Sequence, residues 1–349
     1  MKKIGILTFH DTANFGSALQ AYALCKALRN FGADAELIDY QCDAITKREL
    51  GSNGGNILKK ALRYMAFGYH LQKKHSELLR FLREPNMISD KRYDMGNITE
   101  ANDAYTCFVA GSDIIWGVDI TQNDMTYFLD FVNDARERYA FASSIGDRWP
   151  EEMNAPIGSA LKKFKKIFVR ENNAADIVKE MTGKDAELVC DPTMLLEPAE
   201  WGSLASEKYQ KSDYVLVYFG NDVLLEKARK YASEKKKQVW VINYGIPLKG
   251  VKNIRPTSVE EFLGLILYAD CIFTGSYHGM LFSLYFHKNF LLNNRAHSSR
   301  MQTVLDVLGL QDRLVGHTDN AAMPDYSKID SKLEAFRSRS LERLKEVLE

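Results

Sequence analysis

The chain has 349 residues, 46% hydrophobic and 26% charged, which is the composition of a globular protein and enough length for two domains. Its 46 Lys and Arg residues balance 46 Asp and Glu residues. The zero net charge excludes a broad nucleic-acid or anionic-membrane surface, which needs a basic excess. The five cysteines, Cys25, Cys42, Cys107, Cys190 and Cys271, are scattered, and no two form a CxxC-type metal or redox motif. They suit a reducing, cytoplasmic compartment.

Met1-Lys2-Lys3 leads into an apolar run, Ile4–Phe9, too short for a signal-peptide core, and no run of about 18 apolar residues occurs. Ile4–Phe9 reads as a strand, followed by a helix over Ser17–Phe31 and a strand at Ala35–Asp39. Cys42–Asn56 is polar and glycine-rich and reads as a mobile link. A long helix is expected over Ile57–Leu82, where Tyr64, Phe67, Tyr69 and Leu71 give a face suited to pairing in a homo-oligomer. Its basic residues read as a solvated face. Further strands are expected at Cys107–Ala110, Tyr139–Ser143, Ile167–Val169 and Glu187–Cys190. A second series follows at Tyr214–Phe219, Val239–Asn243, Cys271–Thr274 and Asn289–Leu292, with helices over Leu224–Lys236 and from the capping box Ser258-Val-Glu-Glu261 to Tyr268. A charged amphipathic helix, Ile329–Leu348, closes the chain.

Short, uniformly apolar strands alternating with helices indicate parallel sheets covered on both faces. The expected architecture is α/β with two doubly wound, Rossmann-like domains. An N-terminal α/β domain spans 1–205, a C-terminal α/β domain 206–325, and the terminal helix 326–349 packs back on the first.

Ligands of such sheets gather at the carboxyl ends of strands, so the turns there carry the candidate chemistry. The most informative is Thr274-Gly275-Ser276-Tyr277-His278-Gly279. A strand, a small-residue turn and a helix start make an anion site, because the first helical N–H groups lack intrahelical partners. His278 adds an ionisable imidazole, although a lone histidine is more often structural. Asn293-Asn294-Arg295 and Ser298-Ser299-Arg300 follow the next strand and put Arg295 and Arg300 within reach of the same anion, or else leave them as surface arginines.

In the first half, Thr8–Ser17 is a long polar turn with Asn14 and Gly16, equally readable as an ordinary capped loop. Gly111-Ser112-Asp113 brings backbone amides, a hydroxyl and a carboxylate to one point, and Asp113 suits a general acid or base or a helix cap. Trp116 lies near enough in sequence to meet a sugar face, with a core position as the alternative. Arg170 suits a bidentate grip on phosphate or carboxylate, or a structural pair with Glu171 or Asp191. No metal site is read from the histidines, cysteines and carboxylates.

Taken together, Gly5-Ile-Leu-Thr-Phe with Asn14-Phe-Gly16, Ala21-Tyr-Ala-Leu24, Ile38-Asp-Tyr40, Gly111-Ser-Asp113, Ala142-Ser-Ser-Ile-Gly146, Arg170-Glu-Asn172, Asp191-Pro-Thr193, Gly275-Ser-Tyr-His-Gly279 and Ser299-Arg300 resemble the polysaccharide pyruvyl transferase family. The resemblance runs over roughly residues 4 to 315. It implies a GT-B-like fold with the active site in the interdomain cleft. It also implies transfer of pyruvate from phosphoenolpyruvate to a sugar of a cell-surface polysaccharide or its precursor, forming a ketal, without a cofactor. His278 and Asp113 would be catalytic. Gly275, Ser276, Gly279, Arg170, Arg295 and Arg300 would bind the donor, and Asn14, Gly16, Gly111, Ser112 and Trp116 the acceptor. A lipid-linked oligosaccharide acceptor would bring the enzyme to the membrane periphery. The same fold would serve a nucleotide-sugar glycosyltransferase, or a non-catalytic phosphate- or sugar-binding component of polysaccharide assembly.

Overall fold

The computed structural model describes residues 2–50, 68–146, 148–294, 298–317 and 323–349. These form two compact units. The first is drawn from Met1–Ser52, Leu78–Leu196 and Glu334–Glu349, the second from Asn53–Glu77 and Glu197–Leu333.

The first unit holds a seven-stranded sheet of β1 (Lys3–Leu7), β2 (Asp34–Tyr40), β3 (Ile88–Tyr93), β4 (Cys107–Ala110), β5 (Glu137–Ser143), β6 (Lys166–Val169) and β7 (Glu187–Leu188). Every pairing is parallel, in the order β3-β2-β1-β4-β5-β6-β7. The second unit holds β8 (Tyr214–Tyr218), β9 (Gln238–Ile242), β10 (Lys252–Ile254), β11 (Cys271–Thr274) and β12 (Asn289–Leu292), also all parallel, in the order β10-β9-β8-β11-β12. Each sheet therefore reverses its winding direction beside its first strand, at β1/β4 and at β8/β11. That reversal opens a crevice at the strands' carboxyl ends.

Burial explains why the inner strands are uniformly apolar. Ile4, Ile6, Phe108, Val109, Tyr139 and Phe141 are all fully buried, as are Val215, Leu216, Ile272 and Phe273 in the second sheet. Helices cover both faces, as parallel sheets require. The strands that lie outside the sequence expectation are β3 and β10, and both are edge strands. Their sequences, ISDKRY and KNI, carry the charge that edges tolerate and inner strands do not. β7 is a pair of residues, shorter than the expected Glu187–Cys190.

Helix α1 (Phe15–Asn30) begins two residues before the expected start, because Asn14 caps it by accepting from Gly16 N at 2.9 Å. The expected link at Cys42–Asn56 is in part a helix, α2 (Asp43–Leu50), whose Ala44 and Ile45 are buried against the core. Helix α3 (Tyr69–Arg83) is the described portion of the expected Ile57–Leu82 helix. Of its expected pairing face, Tyr69 is 61% exposed, and Tyr64 and Phe67 lie outside the described residues. Among the described residues no helix is long and apolar enough to cross a membrane.

The terminal helix runs over Tyr326–Lys345. Its last part belongs to the first unit: buried Ser340 accepts from Cys190 N at 2.9 Å, and Lys166 and Glu346 pair at 2.8 Å.

All five cysteines are free and buried. Burial pushes the Cys25, Cys107 and Cys190 thiols up to about 12, so the reactive thiolate is scarce near neutrality. A thiol-reactive chromophore added to the native protein at mildly alkaline pH should find almost nothing to modify, and should find five thiols after denaturation. Rapid stoichiometric labelling before unfolding would contradict this packing.

Candidate active site

The first unit's reversal point is formed by the turn after β1 and the turn after β4. One buried side chain ties them together: Gln20 Nε2 donates to Thr8 Oγ1 and to Ser17 O, both at 2.9 Å, while Gln20 Oε1 accepts from Ser112 N at 3.1 Å. Thr8 Oγ1 in turn donates to Ser112 O at 2.8 Å. Ser112 is completely buried, with its hydroxyl donating to Ala142 O at 2.9 Å. Gly111 has φ +132°, and a Cβ there would lie 2.0 Å from Phe141 O. Gly111 and Ser112 therefore shape the turn from beneath and do not offer a surface to an acceptor.

Asp113 is the member of that turn that reaches an opening. Its Oδ2 accepts from Ser17 Oγ at 2.5 Å and its Oδ1 from Ile114 N at 2.8 Å. With Asn14, Ser17, Thr12, Arg48 and Glu49 it lines a cavity of about 80 Å³. Asn14 is exposed, while Gly16 is buried with its amide committed to the Asn14 cap.

Arg170 does not face a ligand. It is buried and pairs with Asp191 at 2.6 Å, with Asp113 at 3.8 Å. Asp191 is also buried, and its second oxygen accepts from Thr193 N and Oγ1 at 3.0 and 2.7 Å. Arg170 is therefore a structural counter-ion held behind Asp113, which corrects its expected donor role. Trp116 is corrected as well. It is fully buried, stacked on Phe128 at 5.7 Å and donating from Nε1 to Tyr127 O at 3.1 Å, so it is a core residue.

A second charge cluster, buried at His10 and Asp39 and exposed at its arginines, lies at the end of β2. His10 faces Asp39 Oδ1 at 3.2 Å and Thr8 O at 3.3 Å, and Asp39 also meets Arg83 at 3.2 Å and Arg92 at 3.5 Å. Burial alone would raise the Asp39 carboxyl, but the hydrogen bond and charge of His10, with Arg92 and Arg83, together hold it below the usual range.

In the second unit the expected anion turn has the predicted local form. Ser276 caps helix α4 (Tyr277–Tyr285), accepting from Gly279 N at 3.2 Å. Thr274 Oγ1 accepts from Ser276 N at 3.0 Å and donates to Tyr218 O at 2.8 Å. Gly279 is required by close approach, since a Cβ there would sit 2.6 Å from Thr274 Oγ1. His278 occupies the first turn, 8% exposed, with its ring edge-on to Tyr277 at 5.3 Å. Arg300, on helix α5 (Ser299–Leu308), lies 5.6 Å from the Tyr277 ring centroid. Gly275, Ser276, His278, Gly279 and Arg300 thus gather around Tyr277. Arg295 lies outside the described residues.

Beside this turn is a larger pocket that the sequence reading passed over. It has a volume of about 370 Å³ and lies at the carboxyl ends of β8 and β9, lined among others by Lys74, Tyr218, Phe219, Asp222, Asn243 and Tyr244. Tyr218 joins it to the anion turn, its carbonyl accepting from Gly275 N at 3.2 Å and from Thr274 Oγ1 at 2.8 Å. Its sequence signal was slight: Phe219-Gly220-Asn221 is a β-to-α turn with a single glycine and no motif.

Two parallel α/β units, each with its winding reversal at a polar turn, make a GT-B-like α/β fold. Solved structures share that fold. They include the UDP-GlcNAc 2-epimerase of Neisseria meningitidis bound to UDP-GlcNAc, at TM-score 0.54 and 11% identity, covering 100% of this chain and 99% of that one. A glycosyltransferase from Rickettsia africae ESF-5 aligns at 0.52 and 11%, covering 100% and 99%. The S. aureus MnaA–UDP co-structure aligns at 0.51 and 13%, covering 99% and 91%. No curated protein matches the chain significantly. The family model for polysaccharide pyruvyl transferases matches residues 14–292, and the chain belongs to that family.

Two stability predictions follow from the buried charges. Asp191→Asn should cost roughly 3–5 kcal/mol in denaturant unfolding, because Arg170 loses its compensating charge; a loss within experimental error would show that water already screens the pair. Asp39→Asn should be destabilising at neutral pH, and its gap to the parent should close as pH falls. The sign follows from the lowered folded-state value: the contribution is full above the unfolded pKa and disappears as acid protonates the folded carboxylate. A gap that widens in acid would refute the assignment.

Proposed function

We propose that the protein transfers the pyruvyl group of phosphoenolpyruvate to two hydroxyls of a sugar, forming a cyclic ketal on a cell-surface polysaccharide or its precursor. The observation that carries this reading is the grouping of His278, Arg300 and the Gly275–Gly279 turn around Tyr277, in a member of this family. Phosphoenolpyruvate presents a phosphate and a carboxylate, and needs convergent positive donors. The α4 N-terminus suits the phosphate, because the helix dipole is positive there. Arg300 suits the carboxylate. Arg295 is a further donor-binding candidate from its sequence position.

The methylene carbon of the enol takes a proton while the first sugar hydroxyl adds to the neighbouring carbon and gives up its own. The second hydroxyl then attacks that carbon, loses its proton, and the carbon–oxygen bond to phosphate breaks. His278 protonates or hydrogen-bonds the departing phosphate. Asp113, whose carboxylate borders the cavity in the first unit, is the general acid or base for the acceptor, with Asn14 on the acceptor side. Ser17 Oγ and Ile114 N fix the orientation of that carboxylate. Fixed hydrogen-bond donors and positive charge offset the developing charge. The first unit is then the acceptor side and the second the donor side. The acceptor is a sugar or lipid-linked oligosaccharide, used on the cytoplasmic face.

The test is incubation with phosphoenolpyruvate and candidate glycans, reading phosphate release and the mass added to the glycan. His278→Ala should lower turnover by about 100- to 10,000-fold with little change in melting temperature. Arg300→Gln should raise the KM for phosphoenolpyruvate by roughly 10- to 100-fold. Near-normal turnover in His278→Ala rejects its role. A glycosyl mass added from UDP-sugars, with no phosphate released from phosphoenolpyruvate, would replace this reading with nucleotide-sugar transfer.

A further inference from the structure

The pocket of about 370 Å³ beside the anion turn is larger than a three-carbon phosphorylated acid requires, and its chemistry differs from that of the turn. Phe219 stands at its mouth, 54% exposed, in the left-handed backbone region with φ 50°. A bulky residue there is uncommon and costs conformational energy, and such positions concentrate at ligand sites. Gly220 follows because a Cβ would meet Val217 Cγ1 at 2.4 Å. The backbone is thus turned sharply at Phe219, leaving an aromatic ring in solvent at the edge of a concave site.

The polar groups discriminate between ligands. Asn221 spends its side chain capping helix α6 (Asp222–Lys235), accepting from Leu224 N at 3.0 Å. Asn243 spends both ends on the neighbouring loop: Nδ2 donates to Ile246 O at 2.8 Å and Oδ1 accepts from Gly245 N at 2.8 Å. Tyr244 gives its hydroxyl hydrogen to Pro256 O and its ring face to Lys74, whose Nζ lies 4.6 Å from the centroid. Burial pushes the Tyr244 and Tyr218 phenols up, so both stay neutral. What the pocket then presents is the Phe219 ring and the exposed Asp222 carboxylate at the opening, with the Lys74 ammonium lying over Tyr244. The site therefore offers an aromatic face beside an acceptor of hydroxyl hydrogens. An apolar face edged by hydroxyl donors is the chemistry of a pyranose ring.

We propose that this pocket is a carbohydrate subsite, in which a neutral sugar ring stacks on Phe219 and donates hydroxyl hydrogen bonds to Asp222. Calling that ring an outlying unit of the acceptor glycan, held on the donor-side unit away from the reacting sugar, rests on the pyruvyl-transfer reading; its binding does not. Saturation-transfer NMR with galactose, glucose, mannose and N-acetylglucosamine at millimolar concentration, without phosphoenolpyruvate, should detect binding of at least one. Phe219→Ala and Asp222→Asn, checked for unchanged melting, should each weaken it about tenfold or more. Phe219→Ala keeps the Cβ, so the backbone constraint is the same in variant and parent. The proposal is overturned if no sugar binds, if both variants bind as tightly as the parent, or if uridine binds in a Phe219-dependent way and the sugars do not. Sugar binding lost in the variants, in a protein that never consumes phosphoenolpyruvate, upholds the subsite and removes pyruvyl transfer. Phosphate release with an acceptor KM identical in parent and both variants upholds pyruvyl transfer and removes the subsite.

Discussion

A parallel sheet sends every strand's carboxyl end to the same edge, and a reversal of winding leaves that edge uncovered at one place. Most of the chemistry in this molecule follows from that constraint. In the first unit the reversal falls between β1 and β4, and the polar turns after those strands meet there through Gln20 and Thr8. In the second it falls between β8 and β11, and the turns after those strands carry the aromatic pocket and the histidine-bearing helix start. Covering the remaining faces with helices makes the inner strands apolar. The polar residues with freedom to act are thereby concentrated in a few loops.

The two turns are stiffened differently. Around Asp113 the support is ionic and buried: Arg170 stands behind it, anchored by Asp191, which is itself tied to Thr193. Low dielectric makes such an arrangement costly unless complete, and Asp191 completes it. Around His278 the support is steric. Gly279 lets the helix start approach Thr274, and Tyr277 is flanked by the imidazole and the Arg300 guanidinium. One turn fixes the direction of a carboxylate, the other the distance between a helix end and a sheet.

The sheet-forming runs were legible because inner parallel strands carry one unmistakable signal, continuous apolarity. β3 and β10 escaped because an edge strand must not carry it. The Gly275–Gly279 turn was legible through its small residues, which its close packing demands. Arg170 and Trp116 were misassigned for a shared reason: each lies just beyond a strand's carboxyl end, and sequence cannot say whether a long side chain there points out to solvent or back into the sheet. Burial decided both. The pocket at Phe219 left only a slight trace because its makers, a tyrosine, a lysine and asparagines, are brought together by β8, β9 and α3 from distant parts of the chain.

The terminal helix carries an implication for how the chain is made. Cys190 N finds its partner in Ser340, and Glu187 finds its counter-ion in Arg343 at 2.7 Å, so the first unit draws on residues made after the whole of the second. The second unit can be complete while the first still lacks its closing helix. The earlier part of the first unit must wait, with apolar surface near β6 and β7 uncovered, until the terminal helix has been made. Chaperone demand during synthesis should therefore concentrate on the half that is translated first, an inversion of the usual order in which domains mature.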